Sequence, residues 1–285
     1  MNHIAVIDIG SNSVRYMESE CTLNGVHSSS KLVNTTRLAE GQEADKKLKV
    51  QSMNRTVQAI IEYQSIAKEK GLPVYAYATS ALREASNKDE FLSMLGTEIN
   101  IKILSGEEEG KIAFLGISRN CSSLIDIGGG SLQVVTNQIS KSYPIGCVRL
   151  ADRMPVGNPE EMFHYLFTWT ETIIDDLPSI KEPVIGIGGT ITTLTALSIG
   201  LDKYDRDIVT GKIITIDLLD QLLWKLYDMG ETRKNHPLLK NRHAVIIQGG
   251  TILKYLMQRL SFSSLICSDQ DGMEGYAKLI FDNYK

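Results

Sequence analysis

The chain has 285 residues, of which 42% are hydrophobic and 22% are charged, enough for one large domain or two ordinary ones. This length and composition exclude a small disulfide-stapled scaffold, a collagen-like chain and an intrinsically disordered one. Thirty basic and 34 acidic residues give a formal charge of -4. We therefore expect no broad cationic surface for nucleic acid or anionic membranes.

The cysteines and the N-terminal residues indicate the compartment. The four cysteines lie far apart and show no CxxC spacing, which favours reduced thiols over disulfides or a zinc site. Only four apolar residues directly precede Asp8, too few for the apolar core of a signal peptide. Residues 184–201 carry no charge, but the Gly188-Gly189 break favours a strand, a turn and a helix over a membrane span. We expect a cytoplasmic protein that does not enter the membrane.

One short pattern occurs twice, with an offset of 118 residues. Residues 6–13 and 124–131 share five identities in eight positions. Each copy predicts an apolar strand that ends in an aspartate, Asp8 or Asp126. A loop of small residues and a second strand follow, which is typical of a β-hairpin. The repeat predicts two related domains.

Helices and strands alternate between the two copies. Apolar residues at helical spacing predict a helix over residues 53–70, which Gly71 and Pro73 end. Spacing and apolar runs predict the other elements of this part: a strand over 74–78, a helix from Asn87 to Gly96, a strand over 99–104 and a helix over 105–115.

The part after the second copy continues the mixed pattern. Its predicted elements are a helix from Pro159 behind Asn158, a strand over 184–187, a helix from Asp217 to Tyr227 and a helix over 242–259. We predict an α/β protein with a domain boundary near residue 122 and no long linker.

Two helices of the first half are predicted to begin with a capping box, in which two residues three positions apart bond each other's backbone. The pairs are Asn87 with Glu90 and Ser105 with Glu108. Residues 107–109 are three consecutive glutamates, and the predicted capping box assigns a structural role to Glu108. Glu109 points about 100° further round the helix, where capping needs no side chain. It is therefore the better candidate for a general base.

The two predicted hairpin loops have the composition of phosphate-binding loops. Consecutive backbone N–H groups bind an anion, and an aspartate at the strand end holds a hydrated divalent cation. Glycine lets phosphate approach the backbone closely. The first loop consists of Gly10, Ser11, Asn12 and Ser13, and the second of Gly128, Gly129, Gly130 and Ser131. Facing each other, they predict a phosphate clamp between two domains, with Asp8 and Asp126 as metal ligands.

Further candidate anion contacts come from a third glycine turn and two arginines. Gly188, Gly189 and Thr190 follow a predicted strand and open a helix, whose positive end favours an anionic ligand. The turn lacks the dinucleotide-binding fingerprint, and no GxxxxGK[ST] sequence occurs, which excludes Rossmann and P-loop sites. Arg15 and Arg83 are candidates to bind phosphate oxygens. A packed strand-helix junction and surface ion pairs are the structural alternatives.

Seven segments together resemble a known family. In order along the chain they are residues 8–15, 78–83, 105–109, 126–131, 144–150, 188–190 and 271–275. They resemble the exopolyphosphatase and guanosine pentaphosphate phosphohydrolase family, a branch of the actin-like and sugar-kinase-like ATPase superfamily. The chain is similar to the short, two-domain form, which lacks an added C-terminal helical region.

The resemblance implies an architecture of two actin-like (ribonuclease H-like) domains with a cleft between them. Domain one is expected over residues 1–122 and domain two over residues 123–271, with a helix over about 272–285 returning to domain one. Two-domain members often pair, so the resemblance also implies a homodimer.

The resemblance implies release of terminal phosphate from inorganic polyphosphate or guanosine pentaphosphate, with Mg²⁺ or Mn²⁺ as cofactor. By position, Glu109 matches the acid that activates water, and Asp126 matches the acid associated with the metal. Arg83 matches a phosphate-contacting arginine. The two loops match the family's phosphate cradles.

One catalytic position departs from the family pattern. Gln133 stands where the family usually has a glutamate, and it offers an oxygen but neither a base nor a negative charge. Two further departures are Leu132 and Ala244, which replace a usual small hydroxyl residue and a common acid. A sensor that binds polyphosphate or an alarmone nucleotide (guanosine penta- or tetraphosphate) and hydrolyses it poorly is therefore an alternative. A sugar-kinase-like ATP phosphotransferase is a third hypothesis.

Overall fold

The computed structural model describes residues 2–97, 99–117, 121–154 and 157–283. The chain divides into two compact units. Unit one comprises Met1–Arg119 and Gln270–Lys285, and unit two comprises Asn120–Asp269. The predicted boundaries are residues 122 and 271, and the last two residues of the predicted C-terminal helix, 284 and 285, lie outside the described residues.

The first part of unit one alternates strands and helices. Its elements are β1 (His3–Ile9), β2 (Val14–Thr22), β3 (Gly25–Asn34), α1 (Val50–Glu69), β4 (Val74–Ala78), α2 (Ser80–Glu84), α3 (Lys88–Leu95), β5 (Ile101–Ile103) and α4 (Gly106–Gly116).

Unit two repeats this alternation, and the chain then ends with a helix of unit one. The elements are β6 (Ser123–Ile127), β7 (Leu132–Thr136), β8 (Ser140–Tyr143), α5 (Cys147–Arg153), α6 (Pro159–Thr170), β9 (Val184–Ile187), α7 (Gly188–Ser198), α8 (Arg206–Val209), β10 (Ile213–Thr215), α9 (Ile216–Asp228), two 3₁₀ helices (Gly230–Asn235 and Pro237–Leu239), α10 (Ile246–Arg259), β11 (Ser264–Cys267) and α11 (Gly272–Asn283).

The two sheets share one strand order. Sheet one runs β3-β2-β1-β4-β5, and sheet two runs β8-β7-β6-β9-β11 with β10 added at its edge. In unit one, β1 and β2 form an antiparallel hairpin, and β1 pairs in parallel with β4. In unit two, β6 and β7 form the equivalent hairpin, and β6 pairs in parallel with β9. The repeated hairpins therefore occupy the same place in two copies of one topology. This confirms the predicted α/β fold class with two related sheets.

Helix α11 returns to unit one, as predicted. It packs against α4 and the first strands of sheet one, and Met273 and Tyr276 join the apolar core there. The two helices cross at a pair of glycines. A Cβ on Gly116 would lie 2.8 Å from the backbone nitrogen of Gly275, and a Cβ on Gly275 would lie 2.9 Å from that of Gly116. Any larger residue at either position would push the helices apart.

One of the two predicted capping boxes is confirmed. The Ser105 hydroxyl accepts the Glu108 N–H at 3.1 Å, and the Glu108 carboxylate accepts the Ser105 N–H at 2.8 Å. Asn87 precedes α3 as expected, but the box predicted there is wrong. Its side chain instead bonds the N–H and the carbonyl of Leu48 at 2.9 and 3.1 Å, because a tertiary neighbour competes with the local cap.

Two other helix starts differ from the prediction. Thr215, not Asp217, caps α9, since its hydroxyl accepts the Leu218 N–H at 3.3 Å. The helix predicted from residue 242 begins at Ile246, after a turn. All four cysteines are free thiols, and within the described ranges no helix has the length and apolar character needed to span a membrane.

Candidate active site

The first loop joins β1 to β2 in a tight turn, in which the carbonyls of Ser11, Asn12 and Ser13 accept backbone hydrogen bonds. The Gly10 N–H donates to the Ser13 carbonyl at 3.0 Å. The carbonyls of Ser11 and Asn12 accept N–H bonds of 3.0 and 2.9 Å from the segment that follows β3. Among the described residues, the N–H groups of Ser11 and Asn12 donate to no backbone carbonyl. These two amides are therefore available to an anion.

The second loop has the same geometry. The Gly128 N–H donates to the Ser131 carbonyl at 2.9 Å, and a Cβ on Gly128 would lie 3.1 Å from that oxygen, the distance found at Gly10. Within the described part of the chain, the N–H groups of Gly129 and Gly130 have no backbone acceptor. The sequence repeat is therefore also a repeat of backbone hydrogen bonding.

Helix α5 binds every glycine carbonyl of the second loop. The Cys147 N–H donates to Gly128 at 3.0 Å, and the N–H groups of Val148 and Arg149 donate to Gly129 at 2.8 and 3.2 Å. The Arg149 side chain donates from Nε to Gly130 at 3.0 Å. With the carbonyls held by α5, the loop is fixed before any ligand binds.

Gly146 allows this close approach. A Cβ there would overlap the Gly129 carbonyl and lie 2.5 Å from the Gly130 nitrogen. Gly146 and Arg149 were not candidates for the site in the sequence analysis, although both lie in the segment 144–150 that carries the family resemblance. That segment was the signal that would have found them.

The two repeated aspartates have different partners across the hairpin. Asp8 pairs in register with Arg15, and Asp126 pairs with Gln133. Arg15 donates to the Asp8 carboxylate from Nε at 2.8 Å and again from a terminal nitrogen. At the equivalent place Asp126 has a neutral amide. The position opposite Asp8 therefore holds a cation, whereas the matching position opposite Asp126 holds a neutral residue.

Asp8 belongs to a buried polar network of unit one. Burial is the largest influence on Asp8 and raises its pKa, although Arg15 opposes this effect. The other end of Arg15 pairs with Asp271, which caps the start of α11 by accepting the Met273 N–H at 2.8 Å. Both ends of the Arg15 guanidinium are thus engaged by carboxylates. Its predicted contact with phosphate stays a prediction.

The predicted base and the predicted phosphate-binding arginine lie together. Glu109 on α4 accepts a bond of 3.1 Å from the Arg83 guanidinium, and the same nitrogen of Arg83 donates to the Leu104 carbonyl at 2.9 Å. Both side chains remain partly exposed. Glu108 faces Lys102 instead, at 3.3 Å. The structure therefore separates the capping glutamate from the one beside Arg83, as the helical spacing predicts.

Tyr77 on β4 lies between these two parts of unit one. Burial, followed by the charge of Asp8, raises the pKa of its hydroxyl, and Glu109 adds to the effect. Tyr77 therefore stays protonated and can donate a hydrogen bond. It was not a candidate in the sequence analysis, because a tyrosine within an apolar strand is typical of a core position.

The third glycine turn packs against Asp126. Gly188 has a φ of +82°, and a Cβ there would overlap the Asp126 carboxylate. A Cβ on Gly189 would overlap the Arg242 guanidinium. The turn and the second loop thus both adjoin the end of β6. Arg242 is a further residue that the sequence analysis missed, because only the fold brings it to this turn.

Gln133 is fully buried and bridges the second loop to β8. Its Nε2 donates to the hydroxyls of Ser131 at 3.0 Å and Ser142 at 3.2 Å. Its Oε1 is buried with no hydrogen-bond partner among the described residues. The amide therefore has one oxygen available at the position paired with Asp126.

The oxygen atoms present suit a divalent cation such as Mg²⁺. In unit two, the Oε1 of Gln133 lacks a hydrogen-bond partner among the described residues, and Asp126, its partner in register, adds a carboxylate. In unit one, a buried oxygen of Asp8 likewise lacks a hydrogen-bond partner among the described residues. The described residues contain no group of three or more His, Cys, Asp or Glu side chains arranged to bind a metal. Mg²⁺ usually takes one or two carboxylates, with water and phosphate completing its shell, so the Asp126 and Gln133 oxygens of unit two fit it. The predicted arrangement of the two loops across a cleft stays a prediction.

Comparison with known proteins places the chain in a family. The model of the Ppx/GppA phosphatase family matches residues 21–278. The chain belongs to this family. The resemblance drawn from the seven segments is thereby confirmed, and with it the assignment to a class of phosphatases.

Two named relatives of this Ppx/GppA chain differ in how far they align with it. Exopolyphosphatase 2 of Mycobacterium tuberculosis is 27% identical over 97% of this chain and 98% of its own length. Guanosine-5'-triphosphate,3'-diphosphate pyrophosphatase of Pseudoalteromonas translucida is 28% identical over 75% of this chain and 47% of its own.

Solved structures of the family share the fold. A Ppx/GppA family member from Aquifex aeolicus has a TM-score of 0.78 and 26% identity, covering 100% of this chain and 99% of the other. An exopolyphosphatase from Cytophaga hutchinsonii has a TM-score of 0.88 at 21% identity, with 99% of both chains covered. The second likeness shows a common fold only.

Proposed function

We propose that this protein removes the terminal phosphate from inorganic polyphosphate by hydrolysis. The observation that carries the proposal is the repeated loop. Its carbonyls accept hydrogen bonds from neighbouring segments, and among the described residues two consecutive N–H groups in each copy have no backbone acceptor. Such amides bind phosphoryl oxygens. Polyphosphate is preferred over guanosine pentaphosphate because the relative aligned over 98% of its length is named an exopolyphosphatase, whereas the pyrophosphatase aligns over 47%.

In the proposed mechanism, Glu109 takes the proton of the attacking water. A base acts on water only from about 3 Å. The hydrogen bond from Arg83 orients the Glu109 carboxylate, which accepts the proton. The water oxygen bonds to the terminal phosphorus as the P–O bond to the rest of the chain breaks, and the shortened polyphosphate leaves with that electron pair. Arg83 supplies a positive charge for the negative charge that develops in this step. The loop amides hold the oxygens of the transferred group in place.

Asp126 would hold Mg²⁺ or Mn²⁺, with the Gln133 oxygen as a neutral second donor. When bound, the cation neutralises phosphate charge and polarises the phosphoryl group. Asp8 fits this role poorly, because Arg15 already neutralises it. Hydrolysis of this kind depends mainly on positioning and on charge neutralisation, which preformed loops supply.

The test is phosphate release from long-chain polyphosphate, guanosine pentaphosphate and ATP, with Mg²⁺ or Mn²⁺, in wild type and Glu109→Gln. We expect release from polyphosphate to fall by about 10²- to 10⁴-fold in the variant, while calorimetry still detects binding. Glu107→Gln is the matched control, since it removes the same charge from the same helical turn at an exposed position.

Three results would contradict the proposal. Full activity of Glu109→Gln would remove the assigned base. Tight polyphosphate binding by wild type without release would support the sensor. Transfer of phosphate from ATP to a sugar, with no release from polyphosphate, would support the kinase-like alternative.

A further inference from the structure

A third arginine, Arg37, lies at the first loop, and its side chain belongs to none of the interactions described so far. Its backbone N–H donates to the Asn12 carbonyl at 2.9 Å, so this hydrogen bond joins residue 37 directly to the loop. An arginine side chain reaches well beyond the width of such a loop. The Arg37 side chain therefore starts beside the loop whose amides are assigned to phosphate.

Among the described residues, the guanidinium of Arg37 has no partner. The other described arginines of unit one all have one: Arg15 pairs with Asp8 and Asp271, Arg55 bonds the Thr36 carbonyl, and Arg83 pairs with Glu109. For Arg37, no side-chain hydrogen bond or ion pair occurs within the described residues, although the residue is only partly exposed. A guanidinium without a protein partner keeps its N–H donors for water or for an anionic ligand.

The backbone of Arg37 is held in an unfavourable conformation. Its φ is +52°, in the left-handed region that residues other than glycine rarely adopt. The flanking residues Thr36 and Leu38 are almost fully buried, and Arg55 binds the Thr36 carbonyl at 3.0 Å. These contacts fix the segment, so a glycine would suit position 37 better on backbone grounds alone. A long cationic side chain here needs another reason.

A second unpartnered group lies in the same segment. The Thr36 hydroxyl is buried and forms no hydrogen bond among the described residues. The segment whose N–H groups bind the first loop thus carries a guanidinium, on Arg37, and a hydroxyl, on Thr36, that both lack a partner among the described residues. Both groups are donors to phosphate oxygens.

We propose that Arg37 binds a phosphate group of the substrate at the first loop. The proposal rests on the proposed function, because it takes the loop as the phosphate site. Arg37 would add a bidentate, charge-assisted contact to the N–H contacts of the loop. It would act as a binding residue, in contrast to Arg83, which faces the predicted base.

The test is binding of tripolyphosphate to Arg37→Gly, measured by calorimetry in the presence of Mg²⁺. Glycine keeps the N–H bond to Asn12 and suits the left-handed backbone, so the variant removes only the side chain. We expect the dissociation constant to rise about ten- to a hundredfold, while the thermal unfolding midpoint stays equal or rises. Arg37→Lys keeps the positive charge but loses the bidentate guanidinium, so its dissociation constant should rise less than that of Arg37→Gly.

Lys46→Gly is the matched control. Lys46 also has a positive φ, of 57°, but its amine pairs with Glu43 at 2.9 Å. The control therefore makes the same kind of change to the backbone and removes one positive charge of unit one. Its dissociation constant should stay within about twofold of wild type, because Glu43 already neutralises the Lys46 amine.

The outcomes separate this proposal from the proposed function. Wild-type affinity of Arg37→Gly, with normal release of phosphate by wild type, would overturn the role of Arg37 and leave the hydrolase intact. An equal loss in Arg37→Gly and Lys46→Gly would show a general charge effect and would also overturn it. A wild-type protein that neither binds tripolyphosphate nor releases phosphate would overturn both.

Discussion

The contact between α5 and the second loop makes Gly146→Ala a sharp test of how the site is built. The new Cβ would overlap the Gly129 carbonyl and lie 2.5 Å from the Gly130 nitrogen, both of them backbone atoms that cannot rotate away. Either the loop or the start of α5 must move. Overpacking of this kind costs about 1–3 kcal/mol. The three N–H bonds from α5 to the loop carbonyls would lengthen at the same time.

Two measurements separate stability from function in this variant. Both tryptophans, Trp169 and Trp224, lie in unit two, so tryptophan fluorescence during urea unfolding reports on the unit that holds the loop. We expect the free energy of unfolding to fall by about 2 kcal/mol. Because the loop shifts, the KM for polyphosphate should rise and kcat should fall.

Ala151→Gly is the control for this experiment. It weakens α5 by about 1 kcal/mol through helix propensity, but among the described residues the Ala151 N–H donates to no carbonyl of the loop. Its kcat/KM should stay near that of wild type. Wild-type unfolding and kinetics of Gly146→Ala would refute the reasoning, since the loop would then not depend on close contact with α5.

Three further predictions concern single side chains. Asp126→Asn should raise the Mg²⁺ concentration needed for half-maximal phosphate release, and an unchanged Mg²⁺ titration would remove its metal role. Gln133→Glu should leave phosphate release within about tenfold of wild type, because Ser131 and Ser142 can donate to a carboxylate at that position; a rise of several orders of magnitude would support the sensor. Burial raises the pKa of the Asp271 carboxyl, but the positive charges of Arg15 and Lys31 outweigh burial and lower this pKa to about 2. Since this value lies below that of an unfolded aspartate, the stabilisation is present above about pH 4 and is lost as the pH falls toward 2, so Asp271→Asn should flatten the acid limb of the unfolding curve measured from pH 5 to 2.

The sequence alone predicted the parts of the site that depend on neighbours along the chain. Helical spacing separated Glu108 from Glu109, because capping uses the residue three positions after Ser105. The repeat of eight residues predicted two hairpins, since a tight turn between two strands needs small residues at fixed places. Both loops have the same bond from the first glycine N–H to the serine carbonyl.

Competition between local and tertiary partners limited these predictions. Asn87 has the sequence of a cap, yet its side chain binds Leu48, which no local pattern indicates. Arg15 was a candidate for phosphate because it follows a loop, and the fold placed two carboxylates around it. Side chains with several hydrogen-bonding groups take the partners that burial leaves them.

The sequence by itself determined the α/β class, the two related halves, the hairpin loops and the acids at the strand ends, because periodicity and turn chemistry act over a few residues. Only the tertiary structure decided what surrounds each loop. Helix α5 reaches the second loop, and Arg37 reaches the first, across spans of the chain that carry no pattern of their own. The sheet order brings these segments together, and the two loops then differ because one aspartate has an arginine opposite it and the other has a glutamine.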